Sequence, residues 1–157
     1  MAQASKTSLK VGDNAPDFKD VAAVVQDKTK NVSLGDFKGK YVVLYFYPKD
    51  DTPGDEFSKS LKDFEKANSV ILGASEDNEQ SHKEFSCKKK YTVSLLSDPS
   101  QKLVKNYGAT DEGFGRRTTF LISPEGRIAH IWPLGKDRDM KKHVEQVLQT
   151  IQQLQKK

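Results

Sequence analysis

Cysteine is the residue this chain has least of. Cys87 is the single one, so no disulfide can close within the chain, and every zinc site built on a cluster of cysteines is excluded. Long hydrophobic runs are missing too, since none approaches the roughly 18 residues that a membrane span requires. The first ten residues, MAQASKTSLK, lack the apolar block of a secretory signal and the arginines of a transit peptide, and a cytoplasmic protein is the expectation. No glycine-rich phosphate loop follows any predicted strand, which leaves nucleotide binding without support. His82, His130 and His143 form no HxxxH pair, and Asp50, Asp51, Asp55 and Glu56 do not have the spacing of an EF-hand loop. Neither a metal nor another cofactor is expected.

Charge is present in both signs. Lys and Arg number 26 against 22 Asp and Glu, a net of +4. The basic residues come in short scattered groups such as Lys88-Lys89-Lys90, without the interleaved aromatics of a nucleic-acid surface. They read as a solvated face, and no nucleic-acid or membrane partner is expected. The apolar residues are clustered, so the 157 residues predict one ordered domain over 1–157, with residues 1–8 flexible. There is no internal repeat and no low-complexity linker.

Tyr41–Tyr47, YVVLYFY, is a continuous β-branched and aromatic run that suits a central strand covered on both faces. Phe57, Leu61 and Phe64 then follow helical spacing, and Ser69–Ala74, SVILGA, reads as a second buried strand. Helix signals over Glu79–Lys90, a short strand at Val93–Leu96 and a helix over Gln101–Tyr107 come next. Thr118–Ile122 and Ile128–Trp132 flank Ser123-Pro124-Glu125-Gly126, a hairpin by its turn composition. From Asp137 to Gln155, Met140, Val144, Val147, Leu148, Ile151 and Leu154 share one helical face. Gly12–Pro16, Asp27–Lys30 and Gly35–Gly39 suggest loops of an N-terminal hairpin extension. This order implies an α/β fold with a mixed sheet, parallel at its centre, and helices on both faces.

Between the first strand and the first helix lies YPKDDTPGDEFSKS. Thr52 sits at a predicted N-cap, Pro53 at N1 and Asp55 at N3, close to a capping box. Asp55 and Glu56 would complement the helix dipole by about 0.3–1 kcal/mol each. On local physics alone, no chemistry is required of Asp55.

Five segments in order carry a resemblance: VGDNAPDF, YFYPKDDTPG, SHKEF, LLSDP and GRRTTFLISPEGRI. Together they resemble the peroxiredoxin Q, or bacterioferritin comigratory protein, group of peroxiredoxins over nearly the whole chain. The resemblance implies a thioredoxin-like fold and thioredoxin-dependent reduction of hydrogen peroxide and organic hydroperoxides, in a monomer or weak dimer. It also implies that Thr52 and Arg117 bind the peroxide and that Pro48 shields the reacting atom from water. In that group Pro-x-x-x-Thr-Pro-Gly is followed by the peroxidatic cysteine, whereas here Gly54 is followed by Asp55. DEFSKSLKDF fits a later part of the family pattern, as though five residues including the nucleophile were absent. A loss of five residues would rotate what precedes it by about 140° and shorten a helix by about 7.5 Å, tolerable only at the helix end, where this gap falls. A deletion, a different helix start and an omitted loop each account for it.

The chain as it stands is therefore expected to be impaired or inactive as a peroxidase. Asp55 has no sulfenate-like state, and an Asp55–Arg117 ion pair is the expected replacement. Cys87 lies two residues, about 200° round a helix, from Phe85, away from the face that Phe85 buries. With a peroxidatic thiol present it is the candidate resolving thiol, and without one an isolated, partly exposed cysteine. The alternative expectation is a redox-silent thioredoxin-fold module that binds a protein partner.

Overall fold

The computed structural model describes residues 9–25, 28–47, 57, 59–75, 79–89, 93–98, 102–108, 118–133 and 140–155. The expectation for residues 1–8 lies outside them.

β3, Tyr41–Phe46, is the central strand. Its side chains alternate: Val42, Leu44 and Phe46 enter one buried cluster, while Val43 and Tyr45, with Tyr47 just beyond the strand, enter another. A strand with two apolar faces has to be covered on both sides. β4, Ser69–Ser75, pairs with it in parallel from Tyr41↔Ser69 to Phe46↔Ala74, and β5, Ser94–Ser97, continues in parallel beside β4. On the other side of β3 lies β6, Thr118–Ile122, antiparallel, followed by its hairpin partner β7, Ile128–Pro133. Gly126 closes that turn with φ of 84°, its N–H donating to the Ser123 carbonyl at 2.9 Å.

The N-terminal hairpin is β1, Val21–Val25, and β2, Lys28–Val32. It is part of the same sheet, because β1 pairs antiparallel with β5, giving the order β2-β1-β5-β4-β3-β6-β7. Lys28–Lys30, expected in a loop from local composition, are paired in β2 instead. Ladder hydrogen bonds to β1 outweigh turn propensity here, and exposed lysines on an edge strand discourage further pairing.

Helices cover both faces. α1, Leu61–Lys66, contributes Phe64, and α4, Met140–Gln155, contributes Val144, Val147 and Ile151 to the cluster around Tyr45. The Gln155 side-chain amide donates to the Ala67 carbonyl, tying the end of α4 to the end of α1. Asn68, at φ 57°, ends α1 and donates from Nδ2 to the Gly39 carbonyl at 2.9 Å, where β3 begins. On the opposite face, α3, Lys102–Asn106, contributes Leu103, joined there by Tyr107. The Asp98 carboxylate accepts from the N–H groups of Leu103 and Val104 at 3.2 and 3.1 Å, capping that helix. α2, Glu79–Lys89, packs beside β1 and β5. It buries His82 and Ser86, one helical turn apart, and leaves Phe85 half-buried, so the covered face is more polar than the spacing of Phe85 suggests.

Candidate active site

The strand ends that flank the expected site residues lie side by side at one end of this sheet. β3 reaches its C-terminal end at Phe46, which faces Thr118, the first residue of β6, across the ladder. The chain leaves Tyr47, whose N–H donates to the Ala74 carbonyl at 3.1 Å, and is next described at Phe57. Pro48, Thr52, Gly54 and Asp55 fall between those points, and Arg117 immediately precedes Thr118. All five, and the expected Asp55–Arg117 pair with them, lie outside the described residues. What the structure defines is the ground that flanks these residues.

That ground is aromatic. Tyr45 stacks between Tyr47 and Phe57, with centroids 5.5 and 4.8 Å away. Phe57 is fully buried and lies 6.0 Å from both Phe64 and His143. His143, from the first turns of α4, meets Trp132 of β7 edge-on at 5.6 Å, and Trp132 lies 4.2 Å from His130. Within this apolar surround Thr119 Oγ1 and His143 Nε2 hydrogen-bond at 2.9 Å, with both residues buried. Burying either group without a partner would cost free energy, so each makes the other's position tolerable.

Cys87 is exposed and free. It is the ninth residue of α2, about 12 Å along the axis from Glu79. The chain passes from the C-terminal end of β4 into α2, and His82, early in the helix, hydrogen-bonds the Leu96 carbonyl near the end of β5 at 3.0 Å. The first half of α2 thus stands at the loop-bearing end of the sheet, and the second half carries Cys87 away from it. Its exposure is in line with the expected position away from the buried face, although that face is marked by His82 and Ser86 and Phe85 is only half-buried.

The opposite face of the sheet also has a tyrosine at its centre. Tyr107 contacts Phe46 and Phe120 at 5.6 and 5.1 Å, and its hydroxyl donates to the Pro16 carbonyl at 2.6 Å. Burial pushes the Tyr107 phenol well above its usual range, with the charge of Asp17 adding to the shift. Two surface clefts, of about 410 and 320 Å³, lie beside Asp98 and α3 and beside Lys38 and Glu125, and neither is lined by the aromatic ground. Among the described residues no group of three or more His, Cys, Asp or Glu gathers to hold a metal, and no helix is long and apolar enough to cross a membrane.

Local sequence windows do not pair His143 with Thr119. One signal in the sequence points to burial of the imidazole: His143, Val147 and Ile151 follow i, i+4, i+8 spacing, which puts it in line with core residues.

The profile of the AhpC/TSA family matches residues 11–131. Peroxiredoxin Bcp of Bacillus subtilis is 37% identical over 164 positions, covering 96% of this chain and 99% of that protein. That span exceeds the 157 residues of the whole chain, so the relative carries residues with no counterpart here. The chloroplastic peroxiredoxin Q of Suaeda salsa is 38% identical, covering 80% of this chain and 61% of its own length. Among solved structures, a cysteine-to-serine mutant of Xylella fastidiosa PrxQ superposes with a TM-score of 0.79 at 30% identity, covering 94% of this chain and 98% of its own. The Xanthomonas campestris bacterioferritin comigratory protein gives 0.77 at 28% identity, with 92% and 99% covered.

Proposed function

The chain belongs to the AhpC/TSA family, in its peroxiredoxin Q and bacterioferritin comigratory protein group, and on that premise we propose that it is a thiol-peroxidase scaffold without its attacking thiol. The reaction of the group needs a thiolate that attacks the O–O bond of a hydroperoxide. One oxygen becomes a sulfenic acid on sulfur and the other leaves as water or alcohol. A second thiol then attacks the sulfenic sulfur, releasing water and forming a disulfide, which a thioredoxin-like dithiol reduces.

By resemblance, Thr52 and Arg117 hold the peroxide, Pro48 excludes water, and Cys87 is the resolving thiol once an attacking thiol is present. The observation that carries the reading is Asp55 directly after Thr52-Pro53-Gly54, in a chain whose single cysteine is elsewhere and exposed. A carboxylate has no oxidation state equivalent to the sulfenate, so the cycle cannot begin at Asp55. A cytoplasmic monomer or weak dimer completes the proposal.

The test is restoration. A five-residue segment beginning with cysteine, placed between Gly54 and Asp55, is expected to confer peroxide consumption with thioredoxin, while the unaltered chain shows none. Turnover by the unaltered chain at the rate of a two-cysteine relative would overturn the proposal. The second reading, a redox-silent module that binds a protein partner, is favoured by an intact fold without a nucleophile. It predicts specific capture of a partner at micromolar concentration that survives Cys87→Ser.

A further inference from the structure

We draw no further inference here: the strongest candidate, the surface cleft of about 410 Å³ between α3 and the segment leading into β1, is lined by charges of both signs from Asp17, Lys19, Asp20 and Lys102, its buried Asp98 carboxylate is already engaged as the cap of α3, and nothing in the structure shows what covers it.

Discussion

The ring of Tyr45 lies across Gly73, its register partner on β4, so closely that a Cβ at position 73 would come within 2.5 Å of Tyr45 Cζ and Oη. The tyrosine cannot give way, because it is buried and stacked between Tyr47 and Phe57. Gly73 is thus what allows the aromatic ground of the candidate site to lie flat on the sheet. Gly73→Ala should destabilise the fold by about 1–3 kcal/mol through overpacking, read as a lower urea midpoint with unchanged slope. A neutral substitution would mean that the tyrosine has room to move.

Phe57 is the first described residue after the loop and among the largest fully buried side chains. Its contacts with Tyr45, Phe64 and His143 tie the start of the helical segment to three separate elements. Phe57→Ala should cost about 3–5 kcal/mol, the usual range for truncating a buried aromatic, whereas Phe57→Leu should cost less than half of that. Equal losses for the two variants would show that stacking geometry, more than volume, is what the site requires.

The buried Tyr107 ties stability to alkaline pH. Its phenol is pushed up in the folded state, so the folded protein holds this proton more tightly than the unfolded chain. The contribution is fully present below about pH 10, the pKa of an unfolded tyrosine, and is lost as the pH rises above it toward the folded value. Tyr107→Phe removes both that dependence and the hydrogen bond to Pro16, costing about 1 kcal/mol at neutral pH and flattening the fall in stability above pH 10. An alkaline unfolding profile identical in slope to the parent's would contradict the assignment.

Much of this architecture was legible because strands with two buried faces and helices with one buried face leave different periods. β3, β4, the β6–β7 hairpin and α4 were all readable on that basis. α2 was less so: its buried face holds His82 and Ser86, which hydropathy counts as outward residues, and only tertiary partners such as the Leu96 carbonyl make their burial affordable. Lys28–Lys30 failed for a related reason, since strand pairing at an edge overrides local composition. The candidate site divides the same way. Motif order pointed to Pro48, Thr52 and Arg117, but the Thr119–His143 pair joins residues 24 positions apart and depends on how α4 docks, which no local window contains.

Cys87 supplies the remaining prediction. A disulfide requires Cα atoms about 4.4–6.8 Å apart, yet Cys87 lies in the second half of α2, about 12 Å along the helix from its start at the loop-bearing end of the sheet. If Cys87 resolves a restored thiol near the start of α2, the expectation is that the helix end carrying Cys87 opens. The last turns of α2 can open at low cost, because exposed Glu84, Cys87 and Lys88 contribute little packing. One equivalent of peroxide should therefore convert the cysteine-restored chain into a species with a single internal disulfide, found by peptide mass. Amide exchange should rise over Glu84–Lys89 and stay unchanged in β3 and β4. Cys87→Ser should leave the first reaction with peroxide intact while abolishing the disulfide and thioredoxin-driven turnover. A disulfide that forms with α2 fully protected would mean that the loop travels the whole way, and sustained turnover after Cys87→Ser would remove Cys87 from the cycle.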